Sequence, residues 1–244
     1  MARIKMVIEY DGSEYHGFQM QNNAETVQEE LEKGIRKLTG AETRLICAGR
    51  TDAGVHALGQ VIAFDSCASI PAERWGMALN SVLPEDIRVR FSALAADDFN
   101  PRFHALRKTY SYLIYRKKER ALFYRRYALC STENLNIISM RQACDYLLGR
   151  HNFSAFCASG NSSKTFEREV YACSLESTEK RLIFKITANG FLYNMVRIIV
   201  GTLLEIGRGK YQPEHMERLI IARDRTRAGP TAPPQGLYLH EVEY

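Results

Sequence analysis

The sequence lacks several features that would have named a class at once. Its six cysteines include no CxxC pair, so no structural zinc site of the usual kind is written into it, and an even count in a chain this long is weak grounds for a disulfide framework. The thiols read as free and buried in a reducing compartment. No stretch approaches the ~18 apolar residues that a membrane helix needs. The opening Met1-Ala2-Arg3-Ile4-Lys5 has no apolar signal core, so the expected compartment is the cytoplasm, with no membrane partner. Strong charge bias is missing too: 33 Lys and Arg against 28 Asp and Glu leave a formal +5, which permits a polyanionic partner without requiring one. No GxxxxGK[ST] run is present, and no self-similar period.

What is there is ordinary globular material. Hydrophobic residues make up 45% and charged residues 25% of the 244, which excludes disorder, collagen-like fibre and low complexity. At about 150 residues per domain this is one large domain or two modest halves. Arg3 to Tyr10 alternates as a strand does, with Ile4, Met6 and Ile8 on one face. Thr26-Val27-Gln28-Glu29 has capping-box spacing, and Val27, Leu31, Ile35 and Leu38 follow at helical intervals before Gly40. Thr43 to Ala48 and Gln60 to Asp65 read as strands around the loop Gly49 to His56. A helix over Pro71 to Leu79 and a strand over Ile87 to Leu94 follow. Beyond them, strands are expected over Lys108 to Tyr115, Arg168 to Leu175 and Arg181 to Ala188, and helices over Ser139 to Leu148 and from Pro213 to near Ala222. Phe191 to Glu205 is apolar on nearly every side and reads as a buried helix. A Pro/Gly-rich turn, Pro230 to Gly236, leads into a last strand, Leu237 to Val242. Consecutive strands with irregularly placed helices indicate an α+β fold.

Three places could carry chemistry. Asp52 sits in a short loop with two glycines, which lets backbone approach a ligand, and Arg50 could hold a phosphate beside it. An Asp before small residues is also an ordinary turn residue, and His56 is as readily a hydrogen-bonded packing residue as a catalyst. A metal held by Asp52 and His56 would need a third ligand that nothing nearby supplies. Arg197 stands in an apolar run, where a guanidinium either snorkels to the surface or lies buried against a carboxylate. Tyr110 and Tyr112, two apart on one strand, either stack on RNA bases or form core. Basic residues flank them at Arg102, Arg107, Lys108, Arg116-Lys117-Lys118 and Arg125-Arg126, and recur at Arg218, Arg223, Arg225 and Arg227. Such runs are either solvated faces or a phosphate-binding footprint.

Taken together the motifs resemble one family. Gly49-Arg50-Thr51-Asp52-Ala53-Gly54-Val55-His56-Ala57 is similar to the signature loop of the tRNA pseudouridine synthase A family. Glu9-Tyr10-Asp11-Gly12, Gly17-Phe18-Gln19-Met20-Gln21, Lys108-Thr109-Tyr110-Ser111-Tyr112, Asn194-Met195-Val196-Arg197 and Gly236-Leu237-Tyr238-Leu239 occur in that family's order. Phe18 stands where the family often has Trp.

The resemblance implies isomerisation of uridine to pseudouridine at positions 38, 39 and 40 of the tRNA anticodon arm, by a homodimer without cofactor or metal. It implies a pseudouridine synthase fold, two α+β halves (1–104 and 105–244) sharing an extended, mainly antiparallel sheet with a central cleft. By it, Asp52 matches the essential aspartate and nucleophile, Tyr110 the active-site tyrosine, and Arg197 the basic partner of that aspartate. Arg50 resembles an RNA contact, and His56 is grouped with it as substrate-binding. A carboxylate suits the reaction, since it can attack ribose C1′ or base C6, or take a proton from C2′. An adjacent arginine would keep it ionised. A non-catalytic RNA-binding protein would use Tyr110 and the arginines equally well but leaves Asp52 and Arg197 without a task. A phosphate-handling hydrolase lacks its loop.

Overall fold

The computed structural model describes residues 1–119, 121–160 and 163–244. Its chain divides into two compact units, Met1–Leu106 with Tyr238–Tyr244, and Arg107–Leu237. Both are α+β.

In the first unit the N-terminal alternation becomes β1 (Ala2–Tyr10), with Ile4, Met6, Ile8 and Tyr10 buried. Helix α1 (Val27–Thr39) starts at Thr26, whose hydroxyl accepts the Glu29 N–H, and stops at Gly40 in the left-handed conformation. The cap contributes about 1 kcal/mol. Val27, Leu31 and Ile35 face inward at helical spacing. The strand expected over Thr43 to Ala48 shrinks to β2 (Ile46–Cys47). Its first part is tied to α1 instead: Glu32 accepts the Leu45 N–H at 3.1 Å and lies 3.8 Å from the Arg44 guanidinium. After the loop come β3 (His56–Ser66), a 3-10 turn at Ala72–Arg74, α2 (Trp75–Asn80) and β4 (Ile87–Leu94). Buried Trp75 meets Phe64 edge-on at 5.1 Å. Strand β1 lies between β3 and β4, antiparallel to both, and β2 pairs the far side of β3.

The second unit contains β5 (Arg107–Tyr115), α3 (Ala121–Tyr124), β6 (Leu129–Cys130), α4 (Ile137–Asp145), β7 (Gly149–Asn152), β8 (Glu167–Ser177), β9 (Arg181–Ala188), α5 (Met195–Gly207) and α6 (His215–Ala222). Strands β5, β9, β8 and β7 are antiparallel neighbours in that order, and β6 adds parallel to β5. Helix α4 packs on α5 and β8. Every residue of α5 except Arg197 is buried, and at ~1.5–3 kcal/mol for each large apolar side chain this helix anchors the unit. It begins four residues later than its apolar run. Asn194 before it is left-handed, with φ 60°, and Phe191 is used elsewhere.

The last strand, β10 (Leu237–Glu243), pairs in parallel with β3 through Tyr238↔His56 and Leu239↔Ala57. The expected second half, 105–244, therefore gives its final residues, Tyr238–Tyr244, to the first unit. No helix among the described residues is long and apolar enough to cross a membrane.

Candidate active site

In the first unit the loop between β2 and β3 is fastened from below and from both sides. The Ala48 N–H reaches the Val61 carbonyl at 2.8 Å, and the buried Gln60 amide donates to the Gly49 carbonyl at 2.6 Å. Thr51, also buried, shares a 2.8 Å hydrogen bond between its hydroxyl and that of Tyr10. Burial raises the Tyr10 pKa, so this phenol stays neutral. Phe18 N–H donates to the Thr51 carbonyl at 3.1 Å, Gly54 N–H to the Tyr15 carbonyl at 3.2 Å, and Val55 N–H back to the Asp52 carbonyl at 3.1 Å. Asp52, half-buried, thus sits between a tied Thr51 and a tied Gly54, with its own carbonyl accepting from Val55.

Two glycines make this approach possible. Gly17 has φ +95°, and a Cβ there would stand 2.7 Å from the Thr51 carbonyl oxygen. A Cβ on Gly12 would run into the Val55 carbonyl. The segments Glu9–Gly12 and Gly17–Gln21, far from the loop in sequence, are its supports. His56 closes the loop at the head of β3. Its Nδ1 accepts the Gly12 N–H at 3.1 Å, and its ring stacks on Tyr238 at 4.8 Å. The Asp11 carboxylate lies 3.1 Å from the same nitrogen. One lone pair cannot both accept from Gly12 and carry a proton for Asp11. Asp11 Oδ1 also accepts the Ser13 N–H at 2.9 Å, so the carboxylate ties the Gly12 turn as well as facing the ring.

In the second unit Tyr110 lies in the middle of β5, opposite Ile186, with its ring edge-on to Phe191 at 5.0 Å. Tyr112 is fully buried and donates its hydroxyl to the Pro233 carbonyl at 2.8 Å. Arg197, in the first turn of α5, donates from Nε to the Ala232 carbonyl and from an Nη to the Asn194 side chain, both at 2.7 Å. Ala232 N–H in turn donates to the Arg197 carbonyl at 3.0 Å. The half-buried guanidinium is aimed by the helix's own capping residue and by the turn before β10.

The family model described as tRNA pseudouridine synthase matches residues 6–104 and 143–244. The chain belongs to this family. Its synthases isomerise uridine to pseudouridine in tRNA. A tRNA pseudouridine synthase A of Syntrophomonas wolfei is 62% identical over 244 residues, 100% of this chain and 98% of that one. The protein of that name from Bacillus subtilis is 46% identical over 99% of each chain. The solved H/ACA RNP bound to a substrate RNA containing 2′-deoxyuridine is far more distant. Its TM-score is 0.40 at 12% identity, over 83% of this chain and 44% of that one.

For a synthase of this kind the expected residues divide as follows. Asp52, His56 and an exposed Arg50 belong to one loop of the first unit, and Tyr110 and Arg197 to the second. His56 is buried, with Gly12 hydrogen-bonded to its ring and Tyr238 stacked on it. Of the tyrosine pair, Tyr112 is core. Arg197 does not snorkel, because carbonyl and amide oxygens hold it in place. Sequence reasoning missed Tyr10, Thr51 and Gln60 as supports of the loop; only the closeness of Tyr10 to the Asp11-Gly12 break hinted at one of them.

Proposed function

We propose that this synthase acts on uridines at positions 38, 39 and 40 of the tRNA anticodon arm, as a homodimer, with Asp52 as nucleophile. The observation that carries the reading is the clamped loop, which holds the Asp52 main chain still while leaving the side chain at the margin of the core. Whichever carbon the carboxylate attacks, the atoms balance in one way. The bond between C1′ and N1 breaks, one between C1′ and C5 forms, the C5 proton leaves for solvent and N1 gains a proton. The reaction has no net redox change, so no external electron carrier enters the balance.

Tyr110 takes a place against the flipped base, its ring a stacking surface and its hydroxyl a proton relay. Arg197 serves as counter-ion to Asp52, keeping the carboxylate ionised where water is scarce. Arg50, exposed on the loop, contacts RNA phosphate, and His56 contributes to substrate binding by keeping the loop in shape. Release of tritium from C5-labelled uridine in tRNA tests the reading. Wild-type protein should release it, and Asp52→Asn should release none while still binding tRNA. Near-normal release by the variant would remove Asp52 from its role.

A further inference from the structure

Among the described residues, Arg168 has a cation's cost without a carboxylate partner. The alternation of β8 turns Glu167 and Glu169 to one face and Arg168 to the other. The Glu167 carboxylate is already taken by Arg150 at 2.7 Å. Arg168 lies half-buried across Gly190, its Nε 3.6 Å from where a Cβ on that glycine would stand. One terminal nitrogen donates to the Thr165 and Glu167 carbonyls, at 2.9 and 2.6 Å. Nε and the other terminal nitrogen have no hydrogen-bond acceptor among the described residues, and no carboxylate there pairs with the group. The acidic group that acts on it is the Cys157 thiol, which burial pushes up and so keeps uncharged near neutrality. Burial also makes the guanidinium charge harder to hold. A cation withdrawn from water without a counter-charge is expensive, and an anion from outside would offset that cost.

Its position suggests which anion. Gly190 precedes Phe191, the ring that meets Tyr110 edge-on. We propose that Arg168 is an anion-binding residue of the RNA site, its unoccupied edge receiving a backbone phosphate next to the nucleotide that reacts. Placing that phosphate beside the reacting base rests on the role given to Tyr110 above. Two N–H groups side by side match two phosphate oxygens, which a lysine cannot reproduce.

The test is tRNA binding by Arg168→Ala and Arg168→Lys across a salt series, with thermal unfolding and steady-state kinetics alongside. Alanine should weaken binding on the order of tenfold. It should lower the slope of log affinity against log salt by about one, and raise KM more than it lowers kcat. Lysine should restore the slope but not the full affinity. Arg150→Ala, which removes an exposed charge from the neighbouring strand β7, should leave the slope as it was. The proposal is overturned if Arg168→Ala loses only thermal stability with the slope unchanged, or if Arg150→Ala lowers the slope equally. Because binding needs no turnover, wild-type protein that binds tRNA but forms no pseudouridine would defeat the catalytic reading and leave the slope measurement standing.

Discussion

At the scale of single residues, charge placement decides more than charge number. Arg197 is gripped by Ala232 and Asn194, so its geometry is set before any substrate arrives. Arg197→Ala should cut turnover more than Arg197→Lys, since a lysine still supplies a positive charge although it loses the fork; comparable kcat values in the two would count against the counter-ion role. The sequence left open whether this arginine snorkels or is buried. Its partner Ala232 lies 35 residues away, and nothing in the local pattern announces it. Glu205, buried near the end of α5, offers a pH test. Lys210 above all, and then Arg208, hold its carboxyl below the usual range against the opposing effect of burial. A lowered folded pKa means the stability it contributes is complete above the ordinary glutamate value of about 4.3 and is lost as pH falls through the lowered value. Between about pH 6 and pH 3, thermal midpoints of the wild type should therefore fall more steeply than those of Glu205→Gln. Parallel curves would show the network contributes nothing.

At the scale of elements, the Asp52 loop and its supports are a composite of three segments that only folding brings together. Gly17→Ala would need a side chain at φ +95° and within 2.7 Å of the Thr51 carbonyl. It should cost on the order of 1–3 kcal/mol and reduce kcat although Gly17 touches no substrate. Unchanged stability and turnover, by thermal unfolding and tritium release, would mean that the loop tolerates a shifted Thr51. Long periodic elements were legible in the sequence: β1, α1, β4 and β9 carry their alternation or capping residues openly. Short ones were not. Strands β6 and β7 and the single-turn α3 are too brief to show a period and are fixed by their neighbours. The start of α5 was hidden because Phe191 and Leu192 are apolar for packing in the turn before the helix.

At the scale of the whole molecule, the two units divide the proposed chemistry: the aspartate belongs to one, the tyrosine and the arginine to the other. The α+β class and the family were readable from motif order. The return of the C-terminal strand to the first unit was not, because the parallel pairing of β10 with β3 depends on contacts more than 180 residues apart in sequence. That pairing stacks Tyr238 on His56, so Tyr238→Ala should lower both the thermal midpoint and turnover, and a loss of neither would leave the stack without a task. The net +5 is modest for an RNA enzyme, and a dimer would double it along one tRNA. The most direct measurement is a map of pseudouridine in bulk tRNA treated with purified wild-type protein and with Asp52→Asn. New pseudouridine is expected at positions 38 to 40 from the wild type and none from the variant. Equal modification by both, or modification confined to other positions, would contradict that expectation.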